Sequence, residues 1–480
     1  MSHDIFAKIR ELKQQGNFVD AWNCGLESYQ NDATNTYLRT ALFWICYAAI
    51  RSVQEPILAR QNKIPNTHEQ HVVNSWINCI GQLNLSVPCE ELDYRFFNLF
   101  RGCGEHYETY IQMLTFYGSK LYRADDLKPY KTSKGESPSL VTRLARQTSK
   151  AWLQHHREWD LNLDRILNLL QYALDNTLDH DKTWLQFDIS KCLISANRKE
   201  EARTAALSVL RKKMSESWAW GALADTYVNT DDDKAAIVCY CKGIMEAHEP
   251  TFCIPMYFEL SKLFSNRQEF GLASALLGKL IEIYDANSWR LKPEHNELVQ
   301  QTWFDISAIK TIDIQAEIKN RAKNALQYAT EKLDVVIGIV DAHHHSGKGF
   351  SIYVDLGKKL SARKGAFSGK GLPDIGTWLE VKLARDGEQI EVLEAHKIKE
   401  QPNDKVATIE GTLKLNQKGF GFINDIFIAP FLLNNYQDQE FIRAIKIWDK
   451  DMKKGTPSWR VIKVMKASQQ NKVNQVAAAF

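Results

Sequence analysis

Three phenylalanines, Phe420, Phe422 and Phe427, lie close together in the run GTLKLNQKGFGFINDIFIAPF (411–431). Two apolar stretches, 419–423 and 426–428, are separated only by Asn424 and Asp425, which both tolerate positive φ. The run therefore reads as a β-hairpin with a two-residue turn. In that register Phe422 stands opposite Phe427 and Phe420 opposite Ala429, while Gly421, Ile423, Ile426 and Ile428 share the other face. Three isoleucines and a glycine make a core wall, and the rings are left toward water. There each can stack on a nucleobase for about 1–3 kcal/mol with little sequence preference. Lys414 and Lys418 flank the rings, where an ammonium would meet phosphate and make association salt-dependent. The opposing reading is that a loop, a second barrel or the helical region covers the rings, which then are core.

A fainter version precedes it. Gly338-Ile339-Val340 is followed by Lys348-Gly349-Phe350 and then Tyr353, which makes Lys348, Phe350 and Tyr353 further candidates for contact with nucleic acid. His343, His344 and His345 lie in the intervening loop. Without a companion cluster of Cys or Asp they read as exposed polar residues, and no metal or cofactor is expected. Gly365, Gly369 and Gly371, with Arg363, Lys364 and Lys370, form a basic loop that either follows a phosphate backbone or is simply mobile. No phosphate-binding G-x-x-x-x-G-K-[ST] loop, H-E-x-x-H or G-x-S-x-G occurs. Asp231, Asp232 and Asp233 read as a helix start.

The elements that must position these residues change character near Thr330. Runs of β type, 335–340, 350–354, 378–383 and 390–393, predict a first small barrel over 331–398. The polar segment 399–405 is a short linker. Runs at 406, 420–428, 441–448 and 459–465 predict a second barrel over 406–467, before a disordered tail, 468–480.

Residues 1–330 read as helical, with apolar residues three and four apart. Between 183 and 283, Ile189, Ser190, Leu193, Ala202 and Ala206 recur 34 positions later as Leu223, Ala224, Tyr227, Ala236 and Tyr240; Leu260, Ser261, Phe264 and Ala273 continue the series. The aromatics from Phe96 to Tyr117 fall at helical spacing and predict core. The run KPYKTSKGESPSLVTRLARQTSK (128–150) predicts a loop and then a helix from near Pro138, its basic residues either touching phosphates or making a solvated face.

A chain of 480 residues, 44% apolar, can bury several cores. Its net charge is +3, of which residues 331–480 contribute +5 (23 basic against 18 acidic side chains), so a polyanion should prefer that part. Nine scattered cysteines, no C-x-x-C pair and no opening signal segment predict a reducing, cytoplasmic setting. The apolar run 40–50 is too short to span a bilayer and predicts a buried helix.

The 34-residue recurrence resembles the tetratricopeptide repeat, with Trp220 where that family often carries tryptophan. The run G-T-L-K-x-N-x-K-G-F-G-F-I followed by D-I-F-I resembles the paired RNP motifs of the cold-shock domain, a five-stranded OB barrel that binds single-stranded RNA and DNA. Its continuation F-I-A-P-F-L-L-N resembles the cold-shock modules of the exoribonuclease II and R family. On that resemblance Lys414, Lys418, Phe420, Phe422 and Phe427 fall on binding positions. Leu415 stands in place of the family's tryptophan and Ala429 in place of its stacking histidine. The expected molecule is an α-solenoid followed by two OB-type barrels: a non-catalytic binder of single-stranded RNA or DNA whose helices recruit a protein partner. The competing readings are a protein-docking scaffold and a nuclease.

Overall fold

The computed structural model of the chain describes residues 2–132, 135–228, 230, 232–330, 333–386, 389–450 and 455–467 and divides into two compact units, 1–325 and 326–480. The expected tail, 468–480, lies outside the described residues.

The first unit is helical. Its second half contains three antiparallel helix pairs, Asp179–Ser195 with Lys199–Lys212, Ser217–Asp225 with Asp233–Met245, and Ile254–Asn266 with Phe270–Ala286. The recurring residues are the ones that meet inside them: Leu193, Ala202, Ala206, Leu223, Ala224, Ala236, Leu260, Phe264 and Ala273 are buried. Trp220 is fully buried, and its indole donates to the Met214 carbonyl at 2.7 Å.

One turn recurs in this unit. Asn197 and Gln268 adopt positive φ (59° and 62°) where the first helix of a pair ends, and the next residue donates back to Leu193 O (2.8 Å) and Phe264 O (2.9 Å). Gly16 at φ 77° does the same between the helices Ser2–Gln14 and Phe18–Asn31, with Asn17 donating to Leu12 O at 2.9 Å. This αL ending satisfies carbonyls that the helix leaves open and turns the chain back upon itself.

The run 40–50 lies in the helix Thr36–Ala59, with Leu42, Phe43, Ile45, Cys46 and Ile50 buried. Among the described residues no helix is long and apolar enough to cross a membrane. Phe96, Phe97, Phe100, Tyr107 and Tyr110 are core, Phe100 stacking on Tyr110 at 4.0 Å; Phe116 is exposed. The basic run starts as a small hairpin, β1 (Tyr130–Thr132) with β2 (Gly135–Ser137), and continues as the helix Leu140–His155, capped by Ser139. Contrary to the expectation of a solvated face, Val141, Leu144, Ala145, Thr148 and Ser149 are buried and its arginines are only partly exposed.

The second unit is antiparallel β. Its first sheet contains β3 (Asp334–His343), β4 (Gly349–Asp355), β5 (Lys358–Arg363), β6 (Trp378–Asp386) and β7 (Gln389–Lys397), in the order β5-β4-β3-β6-β7. A bridge from Phe367 to Ala395 draws the ends together. The basic strand β5 carries no apolar run and was not legible as a strand. The second fold uses β8 (Val406–Thr412) and β9 (Lys414–Leu415) as one bent strand: β8 pairs with β12 (Phe441–Lys450), and β9 with β10 (Gly421–Ile423). β11 (Ile426–Ile428) joins β10, and β13 (Pro457–Lys466) joins β12. The chain is thus α plus β, with OB-like sheets around Leu413, Ile423, Ile428, Ile442, Ala444 and Val461 in the second fold.

The two β folds share a seam. Trp378, Ile339, Tyr353 and Lys359 form one cross-strand row over β6, β3, β4 and β5. The first three bury themselves against Val406, Ile445, Ile447 and Ile462 of the second fold. Segment 399–405 is tied down, Lys405 Nζ sitting 2.6 Å from Asp355 while its carbonyl accepts from Trp448 N.

In the helical unit, Tyr240 donates to Asp225 at 2.5 Å, and burial pushes the Asp225 carboxyl up to about 6, outweighing that bond. A carboxyl raised on folding binds its proton more tightly in the native state, so stability is gained as pH falls from 7 toward 4. The unfolding free energy measured in urea should rise across that window by about 2 kcal/mol, and Asp225→Asn should be more stable at pH 7 and lose the dependence.

Candidate nucleic-acid interface

The hairpin 419–428 has the register that its alternation predicts: Phe422 pairs with Phe427, Gly421 with Ile428 and Ile423 with Ile426. Asn424 and Asp425 take φ 48° and 62°, the doubly positive turn that matches the twist of the flanking strands. Asn424 Nδ2 donates to Glu410 O at 3.2 Å. On the inner face Gly421 approaches so closely that a Cβ would stand 2.8 Å from Leu413 Cδ1. Ile423 and Ile428 are fully buried there.

The outer face holds the rings. Phe420, Phe422 and Phe427 form a closed triangle with centroids 5.6–5.9 Å apart and mutually inclined planes. Phe427 is 50% exposed and Phe422 36%, while Phe420 is half-buried, so the cluster is open among the described residues. Lys414 is the cross-strand neighbour of Phe422, and Lys418 lies in the exposed loop before Phe420; both are exposed. The loop is shaped by Asn416, whose side chain accepts from Lys418 N and whose N–H donates to Phe420 O at 2.8 Å. Leu415 is half-buried, its N–H held by Asp438 at 2.7 Å, and Ala429 is half-buried. Rings of this kind stack on bases, and ammonium groups beside them neutralise phosphate.

The first fold departs from expectation. Phe350 is fully buried inside its own sheet with Val340, Ile352, Leu379 and Val381, and Tyr353 is 1% exposed within the seam, its hydroxyl donating to Trp448 O. Neither can offer a ring to a base, and the two point to opposite faces because they are three residues apart on a strand. Lys348 is exposed, with Lys364 N donating to its carbonyl at 2.9 Å and Arg363 paired with Gly349 across the strands. His343 Nε2 meets Pro373 O at 2.8 Å and His344 Nε2 meets Ser361 Oγ at 3.4 Å. No group of three His, Cys, Asp or Glu side chains among the described residues is placed to hold a metal ion.

Two features escaped the sequence pattern. Phe431, in the turn Pro430–Leu432 just beyond the platform strand, is 74% exposed. Trp448 and Trp459 pair across β12 and β13 with Lys446 Nζ 3.9 Å from the Trp459 ring centroid. The first could have been read from the lone aromatic after a proline, whereas the second depends on a register reset by a bulge at Ile445 and Lys446.

Four charges cluster in the seam. Asp341 and Asp449 are almost wholly buried; Arg460 meets them at 2.6 and 3.5 Å and Lys359 at 3.3 and 2.7 Å. Burial raises the Asp449 carboxyl, but its bond to Lys359 and the charges of Lys359 and Arg460 outweigh this and hold it below the ordinary carboxylate value. A depressed carboxyl contributes stability above its unfolded value, about pH 4, which is lost on further acidification. Arg460→Ala should therefore cost about 2 kcal/mol at pH 7, discounted for its partial exposure, and progressively less as the pH is lowered below about 4; urea unfolding at a series of pH values checks it.

Residues 183–325 match the model of a domain of unknown function, DUF7017, and residues 407–464 match that of an S1/CSD-like domain described as domain 2 of the TOTE conflict systems. No curated protein matches the chain.

Proposed function

We propose that the second OB-like fold binds single-stranded nucleic acid, RNA or DNA, and does so without cleaving it. The observation that carries this reading is the open triangle of Phe420, Phe422 and Phe427 beside Lys414 and Lys418. The S1/CSD-like match over 407–464 includes all five residues and supports it. Phosphates pair with the lysines and bases stack on the rings; neither group activates water for attack on a phosphodiester. The resemblance to exoribonuclease cold-shock modules belongs to this reading as a likeness of the binding surface alone.

The helix pairs in 183–325 are, in this proposal, tetratricopeptide-like and recruit a protein partner, making the chain a cytoplasmic adaptor. The name of the matched family suggests a conflict system as the setting. The other reading, in which the OB folds dock to a protein partner, has no free surface on the face of β3 and β4 that bears Ile339 and Tyr353, because the second fold of the same chain occupies it.

The test uses the full chain and a fluorescein-labelled oligouridine followed by anisotropy at two salt concentrations, with oligothymidine as the DNA arm. Affinity should fall with salt, and Phe420→Ala/Phe422→Ala/Phe427→Ala should lose on the order of 100-fold or more, at about 1–3 kcal/mol per stacked base. Equal binding by a folded triple variant would overturn the platform. Shortening of the oligonucleotide during incubation with magnesium would overturn binding without cleavage.

A further inference from the structure

The basic run 128–150 does not enter the platform, and the helix it forms keeps Arg143 and Arg146 partly buried while Lys150 stays exposed. Arg143 and Arg146 lie three residues apart on the helix Leu140–His155, hence on one side of it, with Lys150 one turn beyond Arg146. With Arg101 and Glu105 from the preceding loop and Thr142, they line a cavity of about 220 Å³. The loop is clamped to the helix. Gln147 Nε2 donates to Phe100 O at 2.7 Å, and Gly104 lies so near that a Cβ would stand 2.8 Å from Gln147.

The state of the cations differs. Arg146 is paired with Asp188 at 2.8 Å, and Lys150 stands 3.7 Å from Glu105. Arg143 is held in place by its stacking over Tyr94, 5.4 Å to the centroid, and by Nη1, which donates to Asn98 Oδ1 at 2.9 Å and Tyr130 at 3.4 Å. Its Nε and Nη2 are buried and bond nothing among the described residues. Those two N–H groups are the side of a guanidinium that grips an oxyanion in bidentate fashion. Two buried donors left open are costly, at about 1–3 kcal/mol each and more for a charged group, so the geometry asks for an acceptor. Glu105 Oε2, also buried and open, asks for a donor.

We propose that this cavity is a binding site for a phosphomonoester. Arg143 Nε and Nη2, closed off from water in this conformation, reach two phosphoryl oxygens after a shift of the side chain toward the cavity, Arg101 and Lys150 supply the remaining positive charge at the mouth, and the P–OH of the monoanion donates to Glu105 after a similar shift. The volume, that of about seven water molecules, admits the phosphate and leaves its organic group outside. That group can come from a free nucleotide or from the 5′ end of a nucleic acid, and the chemistry is the same for both.

The experiment is calorimetric titration of the full chain with inorganic phosphate, uridine 5′-monophosphate and a 5′-phosphorylated oligouridine, with uridine and the unphosphorylated oligomer as controls. The phosphorylated probes should bind at millimolar concentration or tighter and uridine should not. A preference for the 5′-phosphorylated oligomer that survives loss of the phenylalanine platform identifies a nucleic-acid end, and equal affinity for the mononucleotide identifies a free nucleotide. Arg143→Lys, which keeps the charge and loses the fork, should weaken binding by about tenfold or more. Because Arg143 is packed in the fold, Arg101→Ala/Lys150→Ala provides an exposed variant expected to lose affinity while keeping its thermal unfolding midpoint. Absence of phosphate binding by the native chain, or unchanged binding by both folded variants, overturns the site.

Discussion

The seam between the two β folds is the constraint on which the second unit depends. A five-stranded OB-like sheet buries one side of its strands in its own interior, and the other side must be polar, bind something or be covered. In the first fold it is apolar: Ile339, Tyr353 and Trp378 stand in one row on the outside. Covering them with Ile445, Ile447 and Ile462 removes large side chains from water at about 1.5–3 kcal/mol each. The four-charge cluster adds register more than stability, because burying Asp341 and Asp449 costs most of what Lys359 and Arg460 return. Lys359 ends the apolar row and reaches both acids, which fixes how far β5 can slide along the second fold.

The same constraint explains what the sequence could and could not disclose. The hairpin 419–428 was legible because all its determinants are local: a two-residue turn, period-two alternation and a glycine where the strand meets the core. The helix pairs were legible because Ala202, Ala236 and Ala273 repeat where two helices approach. The fate of Tyr353 was not, since its partner Trp448 lies 95 residues away and belongs to another fold. That Phe350 and Tyr353 face opposite ways was readable from spacing alone, since residues three apart on a strand alternate sides, but that both faces are covered was not. β5 was hidden because its sequence, KKLSAR, is basic: Lys359 is there to meet buried carboxylates, and charge of that kind imitates a loop.

A similar misreading affected 128–150. Lysines and arginines at helical spacing imply a solvated face when each is judged singly, and exposed cations are common enough to make that the default. The helix Leu140–His155 is instead surrounded, and its arginines are retained inside by particular partners: Asp188 for Arg146, and Asn98, Tyr130 and the Tyr94 ring for Arg143. None of these is adjacent in sequence, so composition could report the charge but not its direction.

The two OB-like folds thus divide their labour by which face is left over. Both offer the chain an outer surface on their first three strands. In the first, the residues there are Ile339 and Tyr353, large, apolar and placed to fit another protein surface, and they are covered. In the second, they are Phe422 and Phe427 with Lys414 between strands, and the pairing that covers the first fold uses β12 and β13, leaving β9, β10 and β11 outside the seam. An aromatic face bordered by ammonium groups is a poor site for intramolecular burial, because covering Lys414, whose cross-strand neighbour is Phe422 and not an acid, would desolvate a charge. In the proposed reading lysine beside the rings therefore acts twice: it attracts phosphate, and it raises the cost of closing the face against the protein itself.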